Sequence, residues 1–115
     1  MSAETAEQAA LVGRLRSLLV AEPSVREVSM FGGRSIMVNE KMIVAAQRDG
    51  ALLVRVAADR HEDLLTNPGA TQAEMGAGRD MGPGWIDVAP AAIEGDDGLA
   101  FWVAAALEHN RAVAG

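Results

Sequence analysis

The segment VREVSMFGGRSIMVNEKMIVAAQRDGALLVRV, Val25 to Val56, confines the possible folds more than any other part of the chain. It holds four short apolar runs, and each gap between them is a turn signal. Strands joined by so little chain pair antiparallel, because a parallel crossover needs a dozen or more connecting residues. Gly32-Gly33 supplies the positive φ that a first hairpin turn needs twice. Asn39-Glu40 suits a tight second turn, since asparagine tolerates left-handed angles, and Arg48-Asp49-Gly50 is an Asp-Gly hairpin signal.

Side-chain alternation assigns faces within these runs. Val28 and Met30 share one face of the first, with Glu27 and Ser29 on the other. Ile36 and Val38 lie opposite Met37 in the second. Lys41 to Gln47 is apolar on both sides over its middle, as expected of a central strand. Leu52, Val54 and Val56 oppose Leu53 and Arg55 in the fourth.

The flanks read as helices. From about Ala3 to Val20, Leu11, Val12, Leu15, Leu18 and Leu19 form one apolar stripe, with Glu4 and Glu7 near the favourable N-terminal end of the dipole. Pro23 ends it. A second helix is expected from Asp59, with Glu62 three positions on in a capping-box arrangement, stopping at Asn67-Pro68-Gly69. TQAEM suits a short strand, and WIDVAP a last one, with Ile86 and Val88 inward and Trp85 and Asp87 on the opposite face. A closing helix runs from about Asp97 to Ala112, capped by Asp96 or Asp97. Its stripe is Leu99, Trp102, Val103, Ala106 and Leu107, and Phe101 lies off it. The expectation is one α+β domain over residues 1–115. Its antiparallel sheet of five to six strands packs with N- and C-terminal helices, in the order α-β-β-β-β-α-β-β-α.

Charge and composition narrow the function classes. Residues 1–50 are balanced, six basic against six acidic, whereas residues 51–115 carry four basic and ten acidic and hold the whole net charge of −6. Such a surface repels phosphate backbones, so direct nucleic-acid binding is not expected. The weaker exception is a patch of Arg26, Arg34, Arg48 and Arg55 on the N-terminal hairpins. The absence of cysteine excludes disulfides, thiol catalysis and cysteine-ligated zinc, and fits a cytoplasmic location. No apolar run is long enough to cross a membrane, and the acidic start does not match a secretory signal.

The chemical motifs fail one by one. GAGRDMG, Gly76 to Gly82, has methionine where G-x-G-x-x-G needs its last glycine, and it precedes a strand rather than opening a helix. No P-loop or G-x-S-x-G elbow exists. His61-Glu62 begins H-E-x-x-H, but Leu65 takes the second histidine's place, and His109 is remote, near the C-terminus. Asp80 and Asp87 have no spacing that marks a catalytic pair. Met30, Met37, Met42, Met75 and Met81 are expected to fill core gaps. No catalytic residue, metal site or cofactor is therefore assigned. Arg79, Met81 and Trp85 remain, on or beside a glycine-rich loop. Exposed tryptophan and arginine together make a binding anchor, while burial of Trp85 beneath the loop is the equally weighted alternative.

Met30-Phe31-Gly32-Gly33, the run Asp49 to Arg55, and Arg79, Met81, Gly84 and Trp85 together resemble the TfoX N-terminal domain family. Its members carry M-F-G-G after a basic residue, a D-x-L-x-L-R strand and an R-x-M-x-G-W segment. Here Pro83 adds one residue before that last glycine. The resemblance spans about Val25 to Leu107. It implies the same α+β fold and a part in competence and transcription regulation, exercised through another protein such as a transcription regulator. Family members of full length add a C-terminal helical domain, and the expectation is that this chain lacks it. The expected function is thus a non-enzymatic regulatory or protein-interaction module, monomeric or homodimeric. Its partner- or ligand-binding residues are Phe31, Gly32, Gly33, Arg79, Met81, Gly84 and Trp85. The alternative is a small-ligand-binding domain or an enzyme, with a pocket lined by Met81, Trp85 and Asp87.

Overall fold

In the computed structural model, which describes residues 5–30, 33–74 and 78–114, the apolar runs become a single antiparallel sheet. α1 (Ala6–Leu18) is followed by β1 (Val25–Met30), β2 (Gly33–Val38), β3 (Lys41–Ala46) and β4 (Leu52–Arg55). A 3-10 turn (Ala58–Arg60) leads into α2 (His61–Leu64), then β5 (Ala70–Gln72), β6 (Trp85–Val88), a second 3-10 turn (Pro90–Ile93) and α3 (Asp96–Ala114). The six strands lie in the order β1-β2-β3-β4-β6-β5, so the chain meanders through four hairpin-linked strands and then inserts β6 before β5.

Turn chemistry sets the register. Asn39 and Glu40 take φ of 53° and 65°, the left-handed pair of a tight β2–β3 hairpin. Asp49 accepts the Ala51 N–H at 3.0 Å, and Gly50 turns with φ 88°. The first hairpin differs from expectation. Gly33 pairs with Met30 as the first residue of β2, so it lies in the strand rather than in a turn, and Phe31 and Gly32 lie outside the described residues.

A bulge between β2 and β3 explains why β3 is so apolar. Ile36 pairs with Val44 and Met37 with Met42, which leaves Ile43 as the extra residue. Ile43 and Val44 are consequently both buried in the one core cluster. In-register rungs then define two unlike faces. Ile36, Val44, Val54 and Ile86 form a rung in which no residue is more than 1 % exposed. Over it lie Leu11, Val12 and Leu15 of α1, Leu64 of α2, Ile93, and Leu99, Trp102, Val103 and Ala106 of α3. The adjacent rung points the other way and runs Val28, Ser35, Ala45, Leu53, Asp87 and Thr71. Every described helix contributes its buried side chains to the first face and leaves the second without helical cover.

The helices differ in detail from expectation. Thr5 caps α1 by accepting the Gln8 N–H, and Gln8 itself is buried, donating to the Ala46 carbonyl at 2.8 Å. Leu18 is 40 % exposed and stands outside the stripe, because α1 ends there and Leu19 takes the inward position. Glu4 lies outside the described residues. No capping box starts the second helix: Asp59 falls inside the 3-10 turn, whose own cap position is Ala57. Its stop is as expected, with Asn67 Nδ2 donating to the Leu64 carbonyl and Gly69 at φ 81°. Asp96 and Asp97 sit in the first turn of α3 rather than before it, where their charge still complements the helix dipole. No described helix is long and apolar enough to cross a membrane.

Candidate functional site

The uncovered face carries its most specific arrangement where β4 ends and β6 begins. Arg55 and Trp85 are direct cross-strand partners, and the guanidinium carbon stands 4.9 Å from the indole ring centroid. The cation thus lies against the ring, while its Nη1 end packs over the backbone of Gly84. Gly84 makes room for it. A Cβ at position 84 would fall 2.3 Å from Arg55 Nη1 and 2.8 Å from the Val56 carbonyl oxygen, and the backbone there has φ 94°. Only glycine meets both demands.

A buried polar frame holds that glycine. The Gly84 carbonyl accepts the Val56 N–H at 2.8 Å, and the Gly84 N–H donates to His61 Nδ1 at 2.8 Å. His61 is 6 % exposed. With Nδ1 accepting, the ring proton lies on Nε2, which donates to Gln72 Oε1 at 2.7 Å. The Gln72 amide nitrogen in turn lies 3.1 Å from the Ala73 and Gly82 carbonyls and 3.3 Å from that of Trp85. Four separate segments (α2, β5, the loop and β6) are thereby locked around the start of β6.

The loop itself is tied down by its backbone. Met81 N–H donates to the Ala73 carbonyl at 2.9 Å, Glu74 and Asp80 form an isolated bridge, and Asp80 accepts the Gly82 N–H. Asp80 is therefore engaged within the loop, while Asp87 lies on the sheet and accepts from Gln47 at 2.9 Å. Partial burial pushes the Asp87 carboxyl above its usual range, the Gln47 bond opposes this, and Asp49 adds to it. On α3, partial burial holds His109 below the usual imidazole range, the Arg55 cation acts in the same direction, and Asp59 opposes both.

The expected site residues divide into two groups. Met81, Gly84 and Trp85 come together at the frame just described, with Met81 and Trp85 half-buried, and Arg79 is exposed on the same loop. Gly33 is elsewhere: β2 and β6 are three strand spacings apart and run antiparallel, so Gly33 and Trp85, which open them, sit at opposite ends of the sheet. Sheet spacing puts them about 20 Å apart. Phe31 and Gly32 lie outside the described residues.

Sequence reasoning missed two contributors. His61 was tested only as half of a metal motif; the signal it did offer was a single histidine in a short helical segment facing a glycine-rich loop. In the sequence Arg55 reads as a nucleic-acid contact and as the end of the Asp49–Arg55 run, and its pairing with Trp85 needs the β4–β6 register. Of the other arginines in that patch, Arg26 pairs with Glu40 at 2.8 Å and Arg34 with Glu27 at 2.9 Å, while Arg48 is exposed. Met37 and Met42 face each other across the uncovered face, both half-buried, rather than filling the core. Among the described residues, no group of three or more His, Cys, Asp or Glu side chains is placed to hold a metal ion.

A family model for the TfoX N-terminal domain matches residues 17–110. The chain belongs to the TfoX N-terminal domain family. The match takes in all six strands, α2 and most of α3, so both faces of the sheet and the whole Arg55–Trp85 corner are part of this TfoX-type domain. No curated protein and no solved structure matches the chain.

Proposed function

We propose that this TfoX-type domain is a non-enzymatic regulatory module that binds another protein, a transcription regulator in the sense of the TfoX co-regulators, in the cytoplasm. The observation that carries the reading is the helix-free sheet face, on which the stacked Arg55 and Trp85 stand half-exposed beside the Arg79–Gly84 loop. A paired arginine and tryptophan is the composition of a binding hot spot. Leu53, Met37 and Met42 extend the same face as an adaptable apolar surround. The acidic balance of residues 51–115 favours a protein partner over a nucleic-acid backbone.

The test is a nuclease-treated pull-down from the source organism's lysate, with the native chain and a folded Arg79→Glu/Trp85→Ala variant as baits. A transcription regulator retained by the native chain and lost by the variant supports the proposal. A partner held equally by both baits refutes the surface, and identical background from both counts against the module.

A further inference from the structure

Most arginines in this domain are ion-paired, several of them at exposed positions. Arg14 pairs with Asp96, Arg16 and Arg34 with Glu27, Arg26 with Glu40, Arg60 with Glu108 and Arg111 with Glu22. Arg55 differs. It is half-buried, yet among the described residues no carboxylate lies within ion-pair distance of it and no hydrogen bond engages its guanidinium. Arg48, Arg79 and Lys41 also lack an ion pair among the described residues, but they are exposed and solvated. A partly desolvated cation without a counter-charge is unfavourable, and it stands here in a dedicated setting: the Trp85 ring centroid 4.9 Å from its guanidinium carbon and a glycine seat fixed by His61.

We propose that Arg55, stacked on Trp85 and seated on Gly84, is a receptor for one carboxylate, presented by the polypeptide that docks on the uncovered sheet face. A guanidinium carries pairs of parallel N–H donors in its plane, and such a pair matches the two oxygens of a carboxylate. The charge count selects a carboxylate over a phosphate dianion. Arg55 is the half-buried cation of the corner, Asp87 lies two residues along β6 on the same face, and at His109 burial and Arg55 oppose protonation while Asp59 favours it. No lysine or further arginine stands in the neighbouring rung of that face, Leu53–Asp87. This inference rests on the protein-binding reading for the source of the carboxylate, but the receptor itself can be tested without any partner.

The experiment is an NMR titration of the ¹⁵N-labelled chain with sodium acetate at constant ionic strength, with inorganic phosphate and chloride as parallel arms. The indole N–H of Trp85 and the Nε–H of Arg55 are followed. Acetate is expected to move both signals along one saturable curve, and phosphate and chloride to move them less. Arg55→Gln should weaken the acetate response about tenfold or more, given the strength of charge-assisted hydrogen bonds. Arg55→Lys, which keeps the charge but not the fork, should fall between the two. Non-saturating shifts, an undiminished response in Arg55→Gln, or phosphate binding more tightly than acetate each overturns the assignment. An acetate site that vanishes in Arg55→Gln, alongside a partner that Arg55→Gln still captures, refutes only the link to docking. Loss of partner capture without any acetate site refutes the receptor and leaves the protein-binding reading standing.

Discussion

The two faces of this sheet share strands, register and turns, yet they solve different problems. On one, the rung Ile36–Val44–Val54–Ile86 is sealed beneath three helices. On the other, the rung Ser35–Ala45–Leu53–Asp87 mixes small, apolar and charged side chains: Ser35 and Ala45 are buried between their neighbours, and Leu53 and Asp87 are half-exposed. Two carboxylates make the contrast chemical. Glu27 projects from β1 on the covered side, where its hydrogen bond to Arg16 holds it below the usual range, with Arg34 assisting and partial burial opposing. Asp87, on the open side, is pushed up by burial, with the Gln47 hydrogen bond opposing and Asp49 adding to it. Stability is concentrated on the first face, and the second keeps groups that folding alone does not need.

The largest test of this contrast is a matched truncation. Ile86→Ala removes a fully buried side chain and should cost about 2–5 kcal/mol, whereas Leu53→Ala on the neighbouring strand's open side should cost about 1 kcal/mol or less. Urea denaturation of both variants with equal m-values checks the pair. Next comes His61→Ala, which leaves the Gly84 N–H and the Gln72 carbonyl without partners. A loss of about 2–3 kcal/mol is expected, together with altered Trp85 fluorescence, since the frame that fixes β6 is gone.

Smaller and opposite effects belong to the two carboxylates. A carboxylate whose folded-state pKa is lowered stabilises above its unfolded value and loses that contribution as pH falls through the lowered one. Glu27→Gln should therefore destabilise at neutral pH, by about 0.5–1 kcal/mol after solvent screening, and flatten the acid side of the stability profile below about pH 4. For Asp87 the raised value reverses the sign: its contribution is present below the unfolded pKa and is lost as pH rises through the folded one. Asp87→Asn should stabilise slightly at neutral pH, by well under about 1 kcal/mol given its partial exposure. Thermal melts across pH 3–7 separate the two. Parallel changes in both variants would break the distinction between the faces.

The fold was legible because its signals are local. Asn39-Glu40, Asp49-Gly50 and Asn67-Pro68-Gly69 act through backbone angles that short-range chemistry dictates. The stripes of α1 and α3 are likewise periodic in sequence, and Leu18 failed only because α1 ends at that residue. Less of the site could be read. Trp85, Gly84 and Met81 stood out by type, but Arg55 joins them through a register between strands some thirty residues apart, and His61 through a hydrogen bond across 23 positions. The extra residue Ile43 was invisible for a related reason: a bulge breaks the alternation from which faces are read.

The central claim, that the uncovered face is the binding face, is tested most directly by site-specific photo-cross-linking in the native host. A benzophenone side chain at Leu53 reports on that face, and one at Phe101, which is 45 % exposed on α3, reports on the helical side. A discrete protein adduct from position 53, with none from position 101, is the predicted result. An adduct from position 101 alone, or the same adduct from both, contradicts it.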